Sequence, residues 1–311
     1  MRVPLEWLAL VAAFSSAVAH LASKKAVGAA APPAFLAARW STGALVMTTV
    51  LLFGPGWAGF APSWSLAALA TGAVLGPVVG WLLYLRALPR LDVSVAQPIF
   101  NSAVLVTLVL AIIFLGERPN AFTLAGAALI VVGVQLLQGA QAARQPKRGR
   151  WERLRHPAVL LVLGGACCLG VSSFCFKLGL NALTPVETNW VRTTVPALVL
   201  LSGNTLGALR GAALPRAAPP GVGSAKGVWL TWQGLGWAAL ASLANDVIGW
   251  LFRFTALKHG LVVVVEPLAS TGPLFVALLA TALLGERLGR RGWLGVACTV
   301  LGAVLLGGWG R

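Results

Sequence analysis

The sequence predicts an all-α integral membrane protein: ten transmembrane helices as two inverted five-helix repeats. Three observations carry that prediction. The 311 residues are 58% hydrophobic and only 10% charged, with a mean hydropathy of +0.84. Apolar runs of about 20 residues, enough to cross roughly 30 Å of hydrocarbon, recur from end to end. The second half of the chain also repeats rare residues of the first at a fixed spacing. A soluble domain carries roughly a quarter charged residues, and the same composition excludes a disordered, collagenous or coiled-coil chain.

The spans fall at about 5–23, 34–53, 64–86, 92–115, 121–140, 158–181, 187–208, 230–257, 260–284 and 290–308. The first run follows only Met1–Pro4 and lacks a clear cleavage site, so it reads as a retained helix rather than a signal peptide. Spans four and five, and nine and ten, are joined by tight turns carrying Glu117-Arg118 and Glu286-Arg287, whose expected work is capping or local ion pairing. Two longer interruptions are loops by charge and breaker content: the basic stretch 141–157, and 209–229 with Pro215, Pro219 and Pro220. The organisation is therefore a five-span unit over 1–140, a basic linker over 141–157 and a second unit over 158–311. No room remains for a sizeable soluble domain.

The formal charge of +16 would suggest nucleic acid in a soluble protein. Here the cations lie mostly between apolar runs, where positive-inside charge belongs. Cys167, Cys168, Cys175 and Cys298 fall within apolar runs without CxxC spacing, and His20, His156 and His259 are the only histidines. Disulfide and metal readings are weak, and the cysteines read as small buried hydrophobes.

Residues 80–139 align with 249–308 without a gap at an offset of 169. Gly80-Trp81-Leu82 meets Gly249-Trp250-Leu251, Pro98 meets Pro267, and Gly116-Glu117-Arg118 meets Gly285-Glu286-Arg287. Gly126 and Gly133 meet Gly295 and Gly302. Nearer the start of each half the offset is 153, pairing Lys24, Pro32 and Arg39 with Lys177, Pro185 and Arg192. The change of offset places the length difference in the third and eighth spans or the loops before them. Five is odd, so ten crossing spans give the halves opposite orientations. A pseudo-two-fold axis in the membrane plane then makes inward- and outward-facing states near mirror images, the design of many secondary transporters.

The segments LAIIFLGERPNAFTLAGAALIVVGVQLL and LLATALLGERLGRRGWLGVACTVLGAVLLGG resemble the ends of EamA-type repeats. Lys24 near the end of the first span and Arg39 early in the second are similar too. Together they resemble the drug/metabolite transporter superfamily with two EamA-like repeats, over nearly the whole chain. The resemblance implies a ten-helix carrier of small molecules such as amino acids, drugs, sugars or nucleotide conjugates, and says little about which. One departure is the loop FGPGWAGFAPSW, which has no basic residue where EamA-like proteins usually have several.

That departure touches topology. Loops after odd-numbered spans hold sixteen Lys and Arg, against six (Arg2, Arg118, Lys177, Arg253, Lys258, Arg311) on the side of the termini. The positive-inside rule puts both termini outside, whereas the resemblance implies both inside. The expected location is a cell or inner membrane, with an organellar membrane left open.

Ionisable groups within hydrocarbon are costly and mark function by default. Lys177, Arg192, Asp246 and Glu266 lie inside spans of the second half, Asp246 deepest with Asn245 beside it. The functional reading makes Asp246 and Glu266 a proton or cation site whose protonation releases a cationic substrate. The competing reading is a fixed ion pair with Lys177 or Arg192 that orders the bundle. Pro98 and Pro267 should kink spans four and nine, freeing the carbonyls of Ser94 and Val263. Beside them cluster Gln97, Asn101 and Ser102 in one half and Glu266, Ser270 and Thr271 in the other. Interrupted helices at matched positions point to a midplane site. The alternative is a packing kink with satisfied polar neighbours. Trp81 and Trp250 could stack on a substrate or belong to an interfacial belt. Gly72, Gly76 and Gly80 form a small-residue stripe suited to helix packing. His20 shares a helical face with Lys24, as a pathway residue or a bystander.

The leading expectation is a secondary carrier of a small organic solute working by alternating access, coupled to a proton or cation at Asp246 and Glu266. A flippase of a lipid-linked substrate on the same fold is the alternative. An enzyme is disfavoured because no HExxH, GxSxG or paired-carboxylate motif appears, and no P-loop implies ATP. A channel or structural protein fits matched kinks in inverted repeats less well. No cofactor or metal is expected. The partners are a small-molecule substrate and membrane lipid, not nucleic acid. A monomer suffices to enclose the cavity, and a dimer stays open.

Overall fold

A computed structural model describes residues 4–26, 29, 32–54, 63–88, 90–91, 93–142, 157–209, 230–284 and 288–309. They form ten helices in chain order: α1 (Leu5–Ala26), α2 (Pro32–Phe53), α3 (64–87), α4 (93–114), α5 (Ala121–Ala142), α6 (Ala158–Gly179), α7 (Pro185–Leu209), α8 (Trp232–His259), α9 (262–284) and α10 (Arg290–Trp309). Most of the basic linker with His156, the loop 210–229 and the Gly285-Glu286-Arg287 turn lie outside the described residues.

Among the described residues, nine of these helices are long and apolar enough to cross a membrane. The tenth, α7, is too polar in its first turns by composition alone. Its Glu187, Thr188, Asn189, Arg192 and Thr193 are all buried, so the polar end is turned into the bundle rather than toward lipid. The outer surface carries exposed Leu45, Phe53, Trp64, Phe114, Trp232 and Val304, the apolar exterior that hydrocarbon requires.

The repeat is visible in local structure. Ser63 and Thr231 cap α3 and α8, accepting from the N–H groups of Leu66 and Gly234. Midway, both helices widen into a π-helical segment, Leu75–Gly80 in α3 and Ser242–Gly249 in α8. Asp246 thus stands where the first half has Pro77. Nearly all of the extra length of the second half lies in the longer α7 and the loop after it.

Helices α4 and α9 are interrupted at matched places, at Ser102 and at Ser270-Thr271. The break falls about a turn beyond each proline rather than at it. Hydroxyls satisfy the carbonyls left there: Ser102 donates to Ile99, Ser270 to Pro267 and Thr271 to Leu268. Gln135 of α5 donates to the Pro98 carbonyl at 2.8 Å.

Helices α5 and α10 pack closely along their length. A Cβ built on Gly126 would lie 3.0 Å from the carbonyl oxygen of Gly302, and one on Gly133 would lie 2.8 Å from that of Gly295. Early residues of α5 therefore meet late residues of α10, so the pair is antiparallel. Two halves of opposite orientation predict this crossing. The first helix of each half packs on the other half: α1 on α8 and α9, α6 on α3 and α4. The stripe of Gly72, Gly76 and Gly80 lies against α6, where Ser172 Oγ donates to the Gly72 carbonyl at 2.7 Å.

On the side of the termini, charged groups tie helix ends together. Glu117 accepts from the N–H groups of Val262 and Val263 at 2.8 and 3.0 Å, capping α9 from the other half. Lys177 donates to the carbonyls of Leu257 and Gly260 at the end of α8. Lys258 donates to the Leu183 carbonyl at 2.9 Å. Thr184 and Glu187 form a reciprocal capping box that starts α7, with Pro185 at its first position. Arg253 lies inside α8, within the eighth span read from the sequence.

Candidate functional site

The π segment of α8 positions Asp246. A π turn widens the helix by one residue and turns side chains that an α-helix would hide; such segments are frequent at functional sites. Asp246 is 1% exposed and faces α2 and α7. Arg39 of α2 grips its carboxylate with two bonds, Nε to Oδ2 at 2.6 Å and Nη2 to Oδ1 at 3.0 Å. Arg192 of α7 lies 3.7 Å from Oδ1 and donates to the Asp246 main-chain carbonyl at 2.9 Å. Asn245 donates to Oδ1 at 3.0 Å, and Asn189 donates to the same main-chain carbonyl at 2.9 Å. Arg192 Nε in turn donates to Asn189 Oδ1 at 3.0 Å, fixing the amide's orientation.

Arg39 and Arg192 are repeat mates, so the two halves present the same residue to one carboxylate. Gly43 makes the approach possible, because a Cβ there would lie 2.9 Å from Ser242 Oγ and 3.7 Å from Asp246 Cβ.

Trp250 extends the group. The Arg192 guanidinium stands over its ring at 4.2 Å and that of Arg253 at 4.4 Å; Trp40 receives Arg192 at 5.3 Å. Arg253 donates through Nε and Nη2 to the carboxylate of Glu266, which is 1% exposed. The pairing spends the buried carboxylates on guanidiniums rather than leaving them as free cation ligands. His20 of α1 keeps exposed surface and lies within electrostatic reach of Arg39 and Asp246.

The structure therefore brings together Asp246, Asn245, Glu266 and Trp250 from the sequence expectations. It does not bring Lys177 there: that side chain caps α8. Gln97 and Asn101 form a separate group, with Tyr84 donating to Gln97 at 2.6 Å and Gln97 to Asn101 at 3.3 Å. Trp81 packs edge-on to Tyr84 and Phe100 in that group. Ser270 satisfies the interrupted backbone of α9. Sequence reasoning missed Arg39 and Arg253 as partners, and with them Asn189, Trp40 and Tyr84. Arg39 did carry a signal, its match to Arg192 across the repeat. Among the described residues no group of three or more His, Cys, Asp and Glu is placed to hold a metal.

Comparison with known proteins agrees with this architecture. The profile of the EamA-like transporter family matches the chain twice, over residues 4–138 and 156–308. An uncharacterized transporter in the cobO 3'region of Sinorhizobium sp is 41% identical over 76 residues, 24% of this chain and 51% of that relative. The chain thus spans about half the length of that curated relative. A solved crystal structure superposes with a TM-score of 0.75 at 18% identity, covering 97% of this chain and 95% of its own, a likeness of fold alone. The chain belongs to the EamA-like transporter family, and its apolar helices make it a multi-pass integral membrane protein.

Proposed function

We propose that this transporter carries a small organic solute across a cell or inner membrane by alternating access around Asp246. One observation supports this reading most: a fully buried carboxylate gripped by repeat-mate arginines from the two halves. Rocking one half against the other changes the distance from α2 to α8. Arg192 is anchored to main-chain and amide oxygens and travels with the π segment. Arg39 holds only the carboxylate and is the partner that can let go. Separating a buried ion pair without replacement costs several kcal/mol. The exchange therefore needs a substitute charge, supplied by a proton on Asp246 or by the solute. Protonation removes the carboxylate charge and releases Arg39, which couples the conformational change to a proton gradient.

The test is transport in proteoliposomes, with the pH gradient set independently and a pool of amines, amino acids and sugars as solutes. Uptake that follows the gradient in the wild type and is lost in Asp246→Asn supports the reading. Unchanged uptake in Asp246→Asn removes the cluster from the mechanism. No uptake of any solute removes the carrier.

A further inference from the structure

The charges around Trp250 do not balance. Arg39, Arg192 and Arg253 face two carboxylates, Asp246 and Glu266. Arg192 is buried and lies within electrostatic reach of both other arginines, each of which acts on it. Guanidinium stays charged in proteins. A surplus cation in a water-poor bundle is costly unless an anion compensates it.

Donor capacity is left over as well. Each arginine spends Nε and Nη2, and no Nη1 of the three donates a hydrogen bond among the described residues. The side chains of Arg39 and Arg253 are 20% and 19% exposed, whereas that of Arg192 is 2% exposed. The two outer side chains keep exposed surface, while the inner one is buried. Ser242, one turn before Asp246, has a buried hydroxyl with no hydrogen-bond partner among the described residues. It packs against Gly43, as Asp246 does. The unused Nη1 groups are donors, the Ser242 hydroxyl can donate, and the uncompensated charge is positive.

We propose that the solute is an organic monoanion, bound through one carboxylate at the unused Nη1 edge of Arg253, with its body beside Trp250. A single carboxylate neutralises the surplus, and its two oxygens suit guanidinium edges. A phosphate monoester offers related oxygens with more charge than the surplus matches. This inference rests on the carrier reading and adds the substrate class. It reverses the expectation of a cationic substrate drawn from Asp246 and Glu266 alone.

The experiment measures ligand-induced thermal stabilisation of the purified full chain in detergent. The probes are 3-phenylpropanoate, its amide, 3-phenylpropylamine, phenyl phosphate and short-chain phosphatidylglycerol, with butyrate and butyramide as an aliphatic pair. Stabilisation by the carboxylates and not by amides or amine is the expected result. Two substitutions act in opposite directions. Glu266→Gln adds net positive charge, so carboxylate affinity rises several-fold where amine affinity would fall. Arg253→Gln weakens carboxylate binding at least about tenfold, and Arg253→Lys recovers part of it by keeping charge without the fork. Both variants are first checked for a monodisperse elution profile, and the wild-type panel decides if they fail to fold. Stabilisation by the amine, by phosphatidylglycerol alone or by no probe overturns the proposal. Counterflow of the same carboxylate separates the two claims. Binding without flux sinks the carrier and keeps the anion site, whereas amine flux without carboxylate binding does the reverse.

Discussion

Arg253 and Glu266 are bonded at the two positions that Tyr84 and Gln97 occupy in the other half, where Tyr84 donates to Gln97 at 2.6 Å. The spacing is thirteen residues in both pairs. One half keeps this contact neutral and the other makes it an ion pair, so the repeat preserves the geometry and varies the charge. In the proposed carrier the repeated frame would supply two interchangeable states, and the charged half the groups that bind.

The pair can be tested by transplanting the neutral version. Glu266→Gln alone leaves a partly buried guanidinium without its carboxylate, and Arg253→Tyr alone leaves a buried carboxylate without its guanidinium. Each single change is expected to cost about 1–3 kcal/mol, below the range for fully buried pairs because Arg253 is partly exposed. The double change Arg253→Tyr with Glu266→Gln should recover most of that loss while abolishing carboxylate binding. Thermal midpoints in detergent read the first outcome and ligand stabilisation the second. Additive losses in the double variant would show that the two positions do not interact.

Gly43 makes a sharper test of the Asp246 geometry than changing the aspartate. A methyl group at this position would lie 2.9 Å from Ser242 Oγ, so α2 must move away from the π segment or Ser242 must rotate. Gly43→Val adds more bulk at the same point. The expected outcome is a graded fall in transport rate from Gly to Ala to Val, with expression and monodispersity largely kept because the clash is local. Uptake insensitive to both changes would separate α2–α8 contact from the transport cycle.

Much of the frame was legible in the sequence and much of the site was not, for physical reasons. Span length and the repeat of Gly126, Gly133, Gly295 and Gly302 report on lipid-crossing and backbone approach, which local sequence encodes. The burial of Asp246 and Glu266 is likewise visible, because a carboxylate amid apolar residues has nowhere else to go. Partnership is different. Arg39 and Asp246 are 207 residues apart and meet only through the crossed packing of the halves. Arg253, near the end of a run, looks the same whether it faces water or a buried glutamate. Lys177 shows the converse, since an apparently intramembrane cation proves to hold the carbonyls of Leu257 and Gly260.

The caps on the side of the termini carry stability that a binding role would not. Glu117→Ala removes the acceptor for two N–H groups of α9, and a lost N-cap costs about 0.5–2 kcal/mol. Glu117→Gln keeps one acceptor oxygen and should fall between wild type and Ala. Thermal midpoints of the purified variants measure the series. An Ala variant as stable as wild type would mean the cap carries no net stabilisation.

The α5–α10 contact separates two kinds of helix glycine within one element. A Cβ on Gly133 would lie 2.6 Å from the main-chain nitrogen of Thr299 and 2.8 Å from the main-chain oxygen of Gly295. Both neighbours are backbone, so the strain cannot be relieved by turning a side chain and the helices must part. On Gly139 a Cβ would meet nothing within 4 Å. Gly133→Ala is therefore expected to lose folded protein, with a large drop in thermal midpoint and in recovery from detergent. Gly139→Ala removes backbone freedom from the unfolded chain and is expected to be neutral or to stabilise by up to about 1 kcal/mol. The difference between the two variants is the informative quantity, since propensity alone predicts the same gain for both. Equal behaviour would mean that α5 and α10 are not held at backbone distance, and the antiparallel seam joining the two halves would have to be looser than Gly126, Gly133, Gly295 and Gly302 make it.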